Sequence, residues 1–142
     1  EMDELIAEQS GLSISKMVSK FGWEYFRDLE SKTAQKISRF RDKIIGTGGG
    51  VVTRKENMEA LRKTGFLILL TAEVRTMLAR MEGGAKRPPL TKKHSRRGEV
   101  VEILKQRKML YEKNCDVTIA TDACSPEEVA EKILTIIRKK NL

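Results

Sequence analysis

The chain has 142 residues, 39% hydrophobic and 34% charged, with a formal charge of +8 from 28 Lys and Arg against 20 Asp and Glu. That is the composition of one soluble globular domain, expected to span 1–142 as a single unit. The longest apolar run, Phe66 to Leu70, is far short of the roughly 20 residues a membrane span needs, and the acidic start resembles no signal peptide, so a cytoplasmic location is expected.

Ser13 is placed to cap a short helix through Phe21, which Gly22 breaks before a longer helix from Trp23 to Arg39. A strand is expected over Lys43 to Thr47, ending in the run Gly48-Gly49-Gly50, a backbone without β-carbons that lets a ligand approach closely. A helix over Glu56 to Thr64, stopped by Gly65, leads to Phe66 to Leu70, which reads as a strand buried on both faces near the centre of a sheet. Thr71 is placed to cap a helix from Ala72 to Met81, and Gly83, Gly84, Pro88 and Pro89 then predict a mobile stretch over 83–97. A helix from Glu99 to Lys113 follows, with Val100, Ile103, Leu104 and Leu110 inward, then a strand from Asp116 to Ala120. Ser125 and Pro126 start a final helix that docks through Val129, Ile133, Leu134 and Ile137 and ends on Lys139 and Lys140.

Alternating strands and helices predict an α/β fold with a parallel sheet. Cys115 and Cys124 are too few for a disulfide framework and lack the companions of a zinc site. The basic excess would also suit a polyanion, but aromatics at 5% and charges dispersed along helices argue against nucleic acid. The dispersed charge fits solvated helix faces plus a phosphate-handling site.

Five stretches, in order, resemble the shikimate kinase family. They are Glu1-Met2-Asp3, Gly22-Trp23-Glu24-Tyr25-Phe26-Arg27-Asp28-Leu29-Glu30, Thr47-Gly48-Gly49-Gly50, Arg87-Pro88-Pro89-Leu90 and Arg107-Lys108-Met109-Leu110-Tyr111. The resemblance implies a three-layer α/β/α P-loop kinase fold of the nucleoside-monophosphate-kinase type. Its parallel sheet has five strands in the complete protein, and the first strand and phosphate-binding loop are missing here. No Gly-x-x-x-x-Gly-Lys-Ser/Thr loop occurs in these residues, and the first residue is not Met, so a fragment or processed product is expected.

The resemblance further implies transfer of the ATP γ-phosphate to the 3-hydroxyl of shikimate, with Mg2+, by a monomer. Arg27 and Arg107 would grip the shikimate carboxylate, Asp3 would accept the proton of the attacking hydroxyl, and Gly48, Gly49 and Gly50 would let the backbone meet the substrate. Glu30 would hold Arg27. Arg87 would stabilise the phosphates and Arg80 would pack against adenine. Glu1 stands where the family has Asp, tied to magnesium through water. Trp23 replaces a usual Glu and Pro89 a common Leu, changes expected to alter packing or loop stiffness and not the reaction. His94, Met77 and Met81 are read without a chemical role, and Cys124 is assigned none.

Taken singly, these residues have plainer readings. Arg27 and Glu30, at i and i+3, would also make an exposed surface pair, Asp3 would favour a helix N-terminus, and Gly48 to Gly50 would serve as a flexible turn. Two functional alternatives stay open: a truncated homologue without catalysis that binds a small carboxylate or a protein partner, or a related small-molecule kinase such as a gluconate kinase.

Overall fold

The computed structural model describes residues 1–82, 88–91 and 95–141. The expected mobile stretch therefore falls partly outside the described residues, and Arg87 and His94 lie there too. Among the described residues, six helices and two strands run in the order α1 (Met2–Ser10), α2 (Ile14–Ile37), α3 (Lys55–Arg62), β1 (Ile68–Thr71), α4 (Val74–Met81), α5 (Arg96–Asn114), β2 (Val117–Ala120) and α6 (Pro126–Lys140). A single 3-10 turn, Val51–Thr53, precedes α3.

Residues 1–3, which the resemblance places at the end of a strand, open a helix instead. Glu1 is the N-cap of α1, Asp3 and Glu4 stand in its first turn where the helix dipole favours acids, and Gly11 ends it in a left-handed conformation. Met2 and Ile6, one turn apart, bury its inner face. Ser13 accepts Lys16 N–H at the start of α2, and Gly22 interrupts that helix as its sequence predicts.

At Gly22 φ is 84° and ψ 170°, a region open almost only to glycine. A β-carbon there would meet nothing within 4 Å. Gly22→Ala is therefore expected to cost about 1–3 kcal/mol through backbone strain alone, read as a lower urea midpoint with an unchanged slope.

Two clusters form the core. One joins Met2, Ala34, Ile37, Val51, Val52, Met58 and Leu61, with Leu5, Ile45, Leu67 and Tyr111 at its margin. The other joins Ile6, Met17, Val18 and Phe26, bordered by Trp23 and Leu29. Arg54 straps α3 to α2 by donating to Asp28 at 2.8 Å, Glu24 at 2.9 Å and Ser31 at 3.2 Å. The bond to Asp28, ahead of the others, pushes its guanidinium further toward the charged form.

Strands β1 and β2 are parallel, pairing Ile68 with Val117 through to Thr71 with Ala120, and α4 and α5 lie in the connection between them. Such a crossover is what a parallel pair requires. Of the five strands expected in the complete protein, two are present among the described residues. Segment 43–47 is irregular and not a strand, because a strand is completed by a neighbour's ladder and none lies beside it among the described residues. Its backbone is tied instead by Met2 N–H donating to Gly46 O at 2.9 Å, and Ile44 is 92% exposed.

Full burial of 66–70 is also corrected. These residues are half-buried and Leu70 is 51% exposed, so among the described residues the faces of β1 are not fully covered. Thr71 is the last residue of β1 rather than a helix cap; Glu73 takes that position without a side-chain cap. Ser95 accepts Gly98 N–H and starts α5 three residues before the expected Glu99. Leu110 and Leu134, expected inward, are exposed, while Val100 and Val129 are buried. Ser125 and Glu128 form a reciprocal capping box on α6, with Pro126 in its first turn. No helix among the described residues is long and apolar enough to cross a membrane.

Candidate functional site

Asp3, Arg27, Glu30 and Arg107 meet where α1, α2, α5 and the glycine run come together. Arg27 lies on α2 one turn before Glu30, and its Nη1 donates to Glu30 Oε2 at 2.6 Å. The side chains are 11% and 2% exposed, so the exposed-pair reading is excluded. Two aromatic faces hold the guanidinium, with the Phe26 centroid 5.1 Å and the Trp23 centroid 5.5 Å away. Burial pushes the Glu30 carboxyl above the usual glutamate range; the Arg27 bond and charge pull it back, Asp3 adds to the rise and Arg107 opposes it. Glu30 thus senses three charges brought from α1, α2 and α5.

The glycine run closes this space. Gly48 has φ 71°, and a β-carbon on it would lie 3.9 Å from Asp3 Oδ1. One on Gly50 would land on the Arg27 guanidinium, and one on Gly46 would collide with the Glu1 carboxylate. Gly49 O accepts from Arg107 Nη1 at 3.0 Å and from the Tyr111 hydroxyl at 2.7 Å. Tyr111 is one turn beyond Arg107 on α5, so both reach the same carbonyl. Its spacing from Arg107 was the signal for that role. Arg54, by contrast, had no local signature.

A guanidinium has five N–H donors. Arg27 and Arg107 therefore have more donors than the bonds to Glu30 and Gly49 use, and Asp3 lies near enough to act on the same Glu30 carboxyl. Two cations and one acceptor suit a small anion that also carries a hydroxyl.

Arg80 is placed elsewhere. Its Nη1 donates to Thr121 Oγ1 at 2.8 Å and its Nη2 to Thr121 O at 2.7 Å, just past the end of β2. Next to it, Asp122 accepts Glu73 N–H at 2.7 Å. The bonds from Thr76 and from that N–H hold its carboxyl below the usual aspartate range.

The donor set for a nucleotide and its metal is incomplete. No Gly-x-x-x-x-Gly-Lys-Ser/Thr loop is present in the 142 residues, and no group of three or more His, Cys, Asp or Glu gathers among the described residues. Glu1, the expected indirect magnesium contact, rests against Gly46. The 142 residues do not contain the loop that would cradle a triphosphate.

A family model described as shikimate kinase matches residues 1–138. A shikimate kinase of Thermodesulfovibrio yellowstonii is 40% identical over 134 residues, covering 94% of this chain and 76% of the relative. One of Caldicellulosiruptor bescii is 35% identical over 136 residues, covering 96% and 78%. Among solved structures, a shikimate kinase from Acinetobacter baumannii in complex with shikimate superposes with a TM-score of 0.91 at 28% identity, over 99% of this chain and 78% of the other. The shikimate kinase from Aquifex aeolicus gives 0.80 at 27% identity, over 99% and 81%.

Proposed function

This chain belongs to the shikimate kinase family, and from that premise we propose that its site binds shikimate for phosphorylation of the 3-hydroxyl by ATP. The convergence of Asp3, Arg27 and Arg107 around Glu30 carries the reading. Arg27 and Arg107 bind the carboxylate as planar, multi-donor cations, a task for which lysine is a poor substitute. Asp3 orients the 3-hydroxyl and accepts its proton. Gly48, Gly49 and Gly50 keep the backbone close to the ring, and Glu30 fixes the Arg27 rotamer. Arg80 serves the adenine side and Arg87 the phosphates, and Glu1 would be the residue to hold magnesium indirectly. ATP, when bound, supplies the phosphoryl group. Stretch 83–97 works as a lid, in a protein that acts as a monomer.

Calorimetric titration of the chain with shikimate tests the acid-binding half. Saturable one-to-one binding is expected, with Arg107→Ala weakening it about tenfold to hundredfold, the span set by hydrogen bonds to charged groups. Binding of gluconate in place of shikimate would sink the assignment in favour of a related kinase. The missing loop supports a second reading, shikimate binding without turnover. A coupled assay that detects no ATP consumption at saturating shikimate selects it.

A further inference from the structure

Trp23, the one tryptophan of the chain, does two things at once. Its ring lies along the Arg27 guanidinium at 5.5 Å and meets Phe26 edge-on at 5.8 Å and 82°. Its indole N–H, a donor with no acceptor of its own, reaches 66 residues along the chain to donate to Pro89 O at 3.1 Å. The segment 88–91 is also held from the other side. Glu99, in the first turn of α5, accepts Leu90 N–H at 2.5 Å and Thr91 N–H at 3.3 Å through a single carboxylate oxygen. Segment 88–91 is thus suspended between α2, which carries Arg27, and the start of α5, the helix that carries Arg107.

We propose that Trp23 is a positioning residue coupling the acid-binding arginine to segment 88–91, so that an acid held by Arg27 restrains that segment through the indole. The proposal rests on the reading of Arg27 as a carboxylate-binding residue. The ring is packed against the guanidinium. An anion that fixes Arg27 therefore fixes the indole, and the indole fixes the Pro89 carbonyl. Because coupling between two sites is reciprocal, a restrained segment must also favour the acid.

Amide exchange at Leu90 and Thr91, with and without shikimate, tests this in the wild type and in Trp23→Phe. Phenylalanine keeps an aromatic face for Arg27 and loses only the donor. In the wild type, shikimate is expected to slow exchange about threefold or more. Without ligand, Trp23→Phe is expected to exchange about threefold to tenfold faster, the range one hydrogen bond supplies. Shikimate should no longer slow it, although its Kd stays within about threefold of wild type. Glu99→Gln provides a second variant, in which exchange rises but shikimate still slows it. Exchange and shikimate protection unchanged in Trp23→Phe would overturn the coupling. A wild type that binds no shikimate would overturn the acid-binding reading instead, and the ligand-free comparison still decides the tie to Pro89.

Discussion

Arg27→Met is expected to lose shikimate affinity and about 3–5 kcal/mol of stability together, whereas Arg27→Met combined with Glu30→Leu recovers the stability and not the affinity. The single change strands a carboxylate that is 2% exposed and whose bonded cation has gone. The double change replaces a buried pair by apolar groups of similar size, which costs little or nothing. Affinity follows the guanidinium alone and stays lost in both. The pH dependence separates this account from a general loss of packing. Burial already raises the Glu30 carboxyl in the folded chain, so the native state holds that proton more tightly than the unfolded state. Its contribution to stability is therefore present below the ordinary glutamate value, about 4.3, and is lost as pH climbs through the raised value. Removing Arg27 raises the folded value further. The cost of Arg27→Met should then grow from about pH 4 to about pH 7, and Leu at position 30 should abolish that growth. Urea unfolding at the two pH values checks the stability and titration calorimetry the affinity; a pH-independent cost would mean that Glu30 is not the group responsible.

Gly50→Ala is expected to lose affinity with less loss of stability than Arg27→Met. Gly50 has φ −89° and ψ −24°, an ordinary right-handed conformation that alanine adopts without strain. The added β-carbon meets only the far end of the Arg27 side chain, which can swing aside. Folding should change by less than in Arg27→Met, while shikimate binding weakens about tenfold to hundredfold because the guanidinium has left its position. Gly49→Ala provides the contrast. There the β-carbon would come to 3.0 Å from the Tyr111 hydroxyl, a contact relieved by a few tenths of an ångström, so a smaller loss is expected. Equal losses for the two variants would show that general crowding of the glycine run, and not displacement of Arg27, sets the affinity.

Features governed by a few neighbouring residues were legible in the sequence. The Ser13 cap, the break at Gly22 and the Ser125 start of α6 each depend on local backbone chemistry, and the structure has all three, whereas α3, expected to run to Thr64 and stop at Gly65, ends at Arg62. Strand status is different, because it belongs to a pair. Segment 43–47 has the composition of a strand and no ladder among the described residues. Burial was misjudged for the same reason: a run such as 66–70 reads as fully covered only if neighbours lie on both sides of it. In the site, the candidate residues were identifiable as types in order, and the structure brings Asp3, Arg27, Glu30, Arg107 and the glycines together. The tie from Trp23 to Pro89 spans 66 residues and has no local pattern to announce it. Arg54, with its acceptors Glu24, Asp28 and Ser31, is similar.

The uncovered border of β1 has a consequence for how the polypeptide behaves in a crowd. A strand whose second side meets no partner among the described residues, with Leu70 half-bare, presents a row of peptide groups that any extended backbone can match. Backbone pairing discriminates poorly between sequences. Assembly then becomes a race. A strand arriving from the same polypeptide seals the border in a concentration-independent step, whereas one from another molecule seals it at a rate that rises with concentration and starts an aggregate. Dilution is therefore expected to favour the first outcome over the second, independently of the affinity of the site.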